Sequence, residues 1–329
     1  LVPGAVYVSP ACEHPKMQVR RWTPTKRSGT LSERLVTPLG DVKVMAFKPT
    51  VENLVSGMKE RVYYIDAAGT LPPRCVYAPF GSPARGPCAA LPAALPRLLA
   101  QVVEDIGPCT RETMREYISH RTGSKKRVYE AARVNLLGKS RPLTELASLS
   151  FFVKREATVW GKAQVPRIIS PRAPEFNLLL GRYIHPVERK LFKSMGDMWF
   201  GGDTVIAKGL TQEEKAELIV SQLAKHGACV GLDASRFDQS IKAQLLTIEH
   251  AIYNGLYPGD RLLPALLRQQ LSNVGVGRCA DGHVRAKIGA MRCSGDVNTS
   301  LGNCIISCIL AKLFFLEHGV EGSVLIDGD

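Results

Sequence analysis

The sequence predicts a mixed α/β fold, and three observations carry that prediction. A capping box, Thr211-Gln-Glu-Glu214, opens a helix that continues through Lys225 and is stopped by Gly227. Asp281-Gly282 separates two β-like runs at 274–280 and 283–288, which is the grammar of a hairpin. After a Ser294-Gly295 loop, an apolar helix runs to about Glu317. With 329 residues, 45% hydrophobic and 22% charged, the chain can bury a large core, in two packed sub-regions rather than one.

The remaining elements follow in chain order. Residues 1–90 are rich in Pro and Gly and hold short β-like runs at 35–37, 42–47 and 62–65, with no evident chemistry. Apolar residues at helical spacing predict a helix over Leu95–Ile106, and Thr110 can cap another that runs towards His120. Residues 150–153 are apolar and extended. Directly after Gly227, Ala228-Cys-Val-Gly-Leu232 has a short buried-strand pattern that delivers Asp233 at its end. Helices are expected at about 240–254 and 260–272, ahead of the hairpin. A last strand, Gly322-Ser-Val-Leu-Ile326, enters Asp327-Gly328-Asp329. Two carboxylates therefore stand at the ends of two strands, and antiparallel neighbours in one sheet would bring them over one site. The most apolar run, 304–316, is interrupted by Lys312 and is too short to span a bilayer, so a buried helix is expected.

Charge narrows the function classes. The formal net charge is +13, which favours a polyanionic partner such as nucleic acid or an anionic membrane surface. Residues 120–172 hold twelve Lys/Arg against three Glu, so one sixth of the chain carries +9 of that +13. A lone basic run is more often a solvated face, and needs a site beside it to mean more. Nine cysteines are scattered without a CxxC pair or a Cys/His cluster at zinc spacing, which suggests reduced thiols in a cytosolic setting. No signal peptide is seen, and the initial Leu and the end at Asp329 suggest a fragment.

Four constellations supply chemistry. Asp233-Ala-Ser-Arg-Phe-Asp238 is a carboxylate pair whose spacing alone is commonly a cap or a surface turn. Its position raises it, because a carboxylate ending a buried strand is costly unless it binds a cation. Ser294-Gly-Asp-Val-Asn-Thr-Ser-Leu-Gly-Asn303 sets Thr299 and Asn303 on one face of an otherwise apolar helix. Capping would account for Ser294 and Asp296, but not for polar residues as far as Asn303. Phe152-Val-Lys-Arg-Glu156, Lys162 and Pro166-Arg-Ile-Ile-Ser-Pro-Arg172 interleave cations with stiff residues, as suits phosphate contacts or an ordinary solvated ribbon. Ile326-Asp-Gly-Asp329 is a turn in most settings, but it also supplies a partner for Asp233.

These segments resemble the motifs of viral RNA-dependent RNA polymerases, most closely the tombusvirus-like (carmovirus-type) plus-strand group. Residues 154–172 resemble the basic fingers motif F, and Asp233 to Asp238 resembles palm motif A, Asp-x4-Asp. Ser294 to Asn303 resembles motif B, Ser-Gly-x4-Thr-x3-Asn, and Gly328-Asp329 the first two residues of the Gly-Asp-Asp of motif C. The motifs keep the family order between 152 and 329, just over half the chain, and the resemblance does not extend to residues 1–120. The second Asp of motif C is absent, so the resemblance implies that residue 330 of an intact protein is Asp and that this piece alone is inactive.

The resemblance implies a right-hand polymerase with fingers and a partial palm, the thumb missing. Residues 1–225 would form an N-terminal extension and fingers, and 226–329 the palm, with a fingers insertion at about 240–290. Asp233 and Asp329 would bind two Mg²⁺ ions, Mn²⁺ substituting, for nucleotidyl transfer. Lys154, Lys162, Arg167 and, more weakly, Arg172 would grip the nucleotide's phosphates. Asp238, Ser294, Thr299 and Asn303 would recognise the ribose 2′-hydroxyl, with Gly295 and Gly328 giving backbone freedom. Implied partners are RNA template, nascent RNA and NTPs, plus viral co-factors and host membranes reached through other regions, in the host cytoplasm; DNA is not expected. A reverse transcriptase commonly has a bulky aromatic where Asp238 stands, and Phe237 is one place too early to serve. A non-enzymatic RNA-binding or capsid protein explains the charge but not the carboxylates, and a metal-dependent hydrolase lacks its His or Glu ligands.

Overall fold

A computed structural model describes residues 16–23, 44–63, 92–156, 158–159, 165–234 and 236–328. Its elements begin with β1 (Met17–Arg21), β2 (Val44–Met45) and α1 (Val51–Gly57), which continues into a π-helical turn at Met58–Val62. Next come α2 (Leu95–Ile106), α3 (Met114–Ser119), α4 (Gly123–Gly138), α5 (Leu143–Leu146), β3 (Leu149–Val153), β4 (Thr158–Val159) and β5 (Ile168–Ile169). The remainder is mostly helical: α6 (Pro174–Trp199), α7 (Gln212–His226), α8 (Phe237–Ser240), α9 (Ala243–Leu256) and α10 (Leu262–Arg268). The hairpin β6 (Asn273–Cys279) and β7 (Gly282–Ile288) precedes α11 (Thr299–His318).

The main sheet has the order β1-β7-β6-β3-β5 and is mixed: β3 and β6 run parallel, while the other neighbours are antiparallel. Leu149, Phe151 and Val153 alternate inward along β3 and pack with Val51, Leu54, Val55 and Met58 of the first helical segment. β2 and β4 form a separate antiparallel pair. A second core joins α2, α6, α9, α10 and α11 through Val102, Phe176, Leu180, Ile252, Leu266, Ile305 and Cys308 among others. The 26-residue α6 runs through Pro186 without ending; Pro174 sits in its first turn, where a missing N–H is harmless. By length and composition α11 could cross a membrane, yet its N-terminal half, including Leu301, Cys304 and Ile305, is buried in this core. Its C-terminal half exposes Phe314 and Leu316.

Several expectations hold. Thr211 and Glu214 make the reciprocal capping box, and Gly227 closes α7 in the left-handed region at φ 73°. α2, the hairpin and the long helix α11 stand where the sequence places them. Others need correction. Thr113, not Thr110, caps α3, through its own box with Glu116. Val62 lies in the π-helical turn rather than a strand, and the run at 35–37 lies outside the described residues.

The expected strand at 228–232 does not form: the segment is irregular, with Val230 80% and Leu232 88% exposed. Its anticipated partner pairs elsewhere. Ile206 and Ile326 make a parallel bridge, with Val205 O accepting from Ile326 N–H and Ile326 O from Ala207 N–H, both at 2.8 Å. Without a neighbouring strand to satisfy its N–H and C=O groups, 228–232 stays in solvent.

Candidate active site

The loop from β7 to α11 is the hub. Gly295 takes φ +123°, and a Cβ there would lie 3.0 Å from the Pro171 backbone, so only glycine allows the approach. Ser170 N–H donates to Ser294 O at 2.7 Å, which stitches the end of the basic segment to this loop. Ser294 Oγ donates to Asp238 Oδ2 in a short hydrogen bond, and Asn303 Nδ2 donates to Asp238 Oδ1 at 2.9 Å. Asp238, Ser294 and Asn303 therefore form one network. Thr299 stands apart from it, because its hydroxyl donates to Cys293 O at 2.9 Å and closes the loop onto the helix start.

Behind this network lies a buried ionic layer. Arg292 donates from Nε to Asn303 Oδ1 at 3.0 Å and pairs with Glu249, both side chains being wholly buried. Burial alone would depress the guanidinium's pKa, but Glu249 beside it more than compensates and holds it above the ordinary value. Glu249 also accepts from Asn298 at 2.8 Å and from Tyr253 at 2.9 Å. Gly302 is obligatory here, because a Cβ would collide with Glu249 Oε1 and Arg292 Nη2. Lys242 is buried nearby without a partner at Nζ among the described residues; burial pushes its pKa down to about 8, opposed by Cys293. The Cys293 thiol is pushed up to about 12 by burial, with Asp296 adding to the effect.

α11 also reaches the last segment. One turn beyond Asn303, Ser307 Oγ donates to Gly328 O at 3.1 Å. Gly328 has φ +121°, as a tight turn requires. Asp327 is held by Lys215 at 2.7 Å and Lys208 at 3.5 Å, and the Lys215 hydrogen bond keeps its carboxyl below the ordinary range. Asp329 lies outside the described residues.

The basic residues divide. Lys154 and Arg167 meet at Glu156, at 2.9 Å and 3.3 Å, and both keep substantial exposure, 39% and 53%. Lys162 lies outside the described residues. Arg172 needs correction as a phosphate ligand. Its side chain is fully buried and donates to Asp296 at 2.7 Å, to Ala147 O at 2.8 Å and to Asn273 Oδ1 at 2.6 Å. With its fork committed internally, it can present nothing to a nucleotide.

Three contributors lie beyond what the motif pattern reveals. Arg236, between the two motif carboxylates, is the one non-glycine residue with positive φ among the described residues, at φ 56°. It donates to Glu60 O at 2.7 Å and faces Glu60 Oε2 at 3.4 Å, so the π-helical turn grips the Asp233–Asp238 loop. Gln239 adds bonds to the carbonyls of Glu60 at 3.1 Å and Tyr63 at 2.7 Å. Arg61 donates to Val165 O; burial lowers its pKa, and nearby Arg236 and Arg167 lower it further. Glu156 and Glu60 lie among these cations and partly offset their mutual repulsion. The only signal in the sequence is Arg236 itself, set between Asp233 and Asp238.

The donor set can be tested against a hard divalent cation. Asp233 is exposed and has no hydrogen bond or ion pair with any described residue, so its oxygens are available. Asp238 and Asp327 are committed to Ser294 and Asn303, and to Lys208 and Lys215. Asp233 thus has its carboxylate available to a cation, but it stands on an exposed irregular segment and not at the buried strand end that singled it out, while the other two carboxylates are already engaged.

Comparison with known proteins identifies the family. The family model described as viral RNA-dependent RNA polymerase matches residues 18–329. The RNA-directed RNA polymerase of Tobacco necrosis virus (strain A) is 35% identical over 287 residues, covering 85% of this chain and 37% of that protein. Those of Cymbidium ringspot virus and Turnip crinkle virus are 35% and 34% identical, covering 82% and 85% of the chain. The chain spans about a third of the length of these relatives, 37%, 32% and 35%. The chain belongs to the viral RNA-dependent RNA polymerase family.

Proposed function

We propose that this chain carries the nucleotide-addition centre of an RNA-dependent RNA polymerase that replicates a plus-strand viral RNA. The observation that carries the reading is the spacing on α11. Asn303 holds Asp238, and Ser307, one turn on, holds Gly328. Segments remote in sequence thus converge on one helix face, about 6 Å apart along the helix. In this reading 1–225 supplies fingers and 226–329 palm, with a fingers insertion at about 240–290.

The incoming ribose would dock on the Asp238–Ser294–Asn303 network, its 2′-hydroxyl exchanging for one of the internal hydrogen bonds to Asp238. A deoxyribose leaves that exchange unmade, which disfavours it. Lys154 and Arg167, together with Lys162, would hold the triphosphate, with Arg61 and Arg236 adding to the local positive potential. Asp233 and Asp329 would hold two Mg²⁺ ions, Mn²⁺ substituting, which when bound polarise the primer 3′-hydroxyl and stabilise the departing pyrophosphate. A groove lined by Lys125, Arg141 and Arg278 with Ser148 and Ser150 suits an RNA backbone. Replication co-factors and host membranes would be engaged through other regions.

The test is template-directed incorporation of labelled NTPs and dNTPs by the polymerase that contains this chain, with and without Mg²⁺. Metal-dependent incorporation of NTPs in preference to dNTPs is expected. RNA binding without metal-dependent incorporation would favour a non-enzymatic RNA-binding protein instead.

A further inference from the structure

Outside the site described above, Glu112, His120 and His185 bring one carboxylate and two imidazoles together, with all ligand atoms within 4.8 Å of one another. Their positions are fixed by the fold. Glu112 is tied to α6 in both directions: its N–H donates to Arg182 O at 3.0 Å, and its carbonyl accepts from Arg182 Nε at 2.7 Å. His185 stands on α6 three residues after Arg182, and His120 is the C-cap of α3. The two imidazoles stack at 4.4 Å between centroids, and Tyr117 packs edge-on against His185.

The hydrogen bonding is lopsided. His185 Nδ1 and His120 Nε2 both address Glu112 Oε1, at 2.8 Å and 3.1 Å. Among the described residues, Glu112 Oε2 is buried with no hydrogen-bond partner. A buried carboxylate oxygen without a donor asks for an explanation, and a bound cation is one. Two histidine nitrogens and a carboxylate are a donor set that zinc takes, with metal–ligand bonds of about 2.0–2.2 Å. Tetrahedral geometry with such bonds separates neighbouring ligand atoms by about 3.3 Å. The observed 2.8 Å and 3.1 Å need to open by a few tenths of an ångström, and the stacked imidazoles must turn so that both ring nitrogens face one ion.

We propose that Glu112, His120 and His185 form a zinc-binding site that clasps the end of α3 to α6. Zinc would be bound through His120 Nε2, His185 Nδ1 and the Glu112 carboxylate, with a fourth position open to solvent on the half-exposed His120 side. α4 begins at Gly123, three residues beyond His120, and carries Lys125, Lys126 and Arg127. The clasp would thus set where this basic helix starts. The nearby guanidinium of Arg182 opposes a cation and tempers the affinity.

The test is calorimetric titration of the chelator-stripped, dialysed chain with ZnCl₂, paired with thermal unfolding with and without Zn²⁺. One Zn²⁺ per chain and a zinc-dependent rise in Tm are expected. His120→Ala and His185→Ala should each weaken binding at least about tenfold and abolish the Tm rise. His120→Ala should leave the metal-free Tm near that of the unaltered chain, because its ring is half exposed. Glu112→Gln keeps the shape but removes the charge, and should also weaken binding, whereas Cys229→Ser should not. Absence of stoichiometric binding, or unchanged affinity in both histidine variants, would overturn the proposal.

Discussion

Asn303 donates to Asp238 across 65 residues of sequence, from Nδ2 to Oδ1 at 2.9 Å. The same Asn303 accepts from buried Arg292 through Oδ1. Its amide orientation is thereby fixed from behind, and its donor is aimed at the carboxylate. If this pair reads the ribose, Asn303→Ala and Asp238→Ala should each relax discrimination between NTPs and dNTPs. The loss corresponds to one hydrogen bond to a charged group, about 10- to 100-fold. Competition assays with paired NTP and dNTP substrates measure it, and unchanged selectivity in both variants removes the role.

Arg172 is expected to matter for stability. Arg172→Leu would leave Asp296 buried and uncompensated, at a cost of about 3–5 kcal/mol in chemical denaturation. A variant as stable as the unaltered protein would contradict the buried-pair description.

Lys242 gives a pH dependence. Its folded pKa of about 8 lies below the ordinary 10.5, so the unfolded chain binds more protons between those values. Stability should therefore rise as pH climbs through 8 towards 10.5, with the full penalty present below 8. Lys242→Met should stabilise the protein at pH 7 by about 3 kcal/mol, the equivalent of the shift. It should also remove this rise from the variant-minus-parent difference. Equal stability of the two proteins across that window would contradict it.

Gly302→Ala should be destabilising by about 1–3 kcal/mol, since its methyl would push Glu249 from Arg292. The same substitution at Gly138, where a Cβ meets nothing within 4 Å, is the control and should be near neutral.

What the sequence makes legible is local. The Thr211–Glu214 box, the hairpin around Asp281 and the apolar α11 each announce themselves within a few turns of chain. Ser294, Asn303 and Asp238 group together from their motif types, and they do meet in one network. Misreadings arise where a distant partner decides. Nothing near 228–232 shows that Ile326 pairs with Ile206 instead. Nothing in a basic run shows that Arg172 turns inward to Asp296, 124 residues away. Pro186 interrupts the helical pattern of α6, which hides that helix and with it the convergence of His185 and Glu112. Thr299 shares a helix face with Asn303 by spacing, yet its hydroxyl is spent on Cys293 O.

The claim that most needs testing is that Asp233, the exposed and uncommitted carboxylate of its motif, is a catalytic metal ligand. The direct measurement is single-nucleotide incorporation on an RNA template by the polymerase carrying Asp233→Asn, with RNA affinity measured in parallel. Incorporation should fall to background while RNA binding stays near that of the parent. Incorporation at the parent's rate in Mg²⁺ would contradict the assignment.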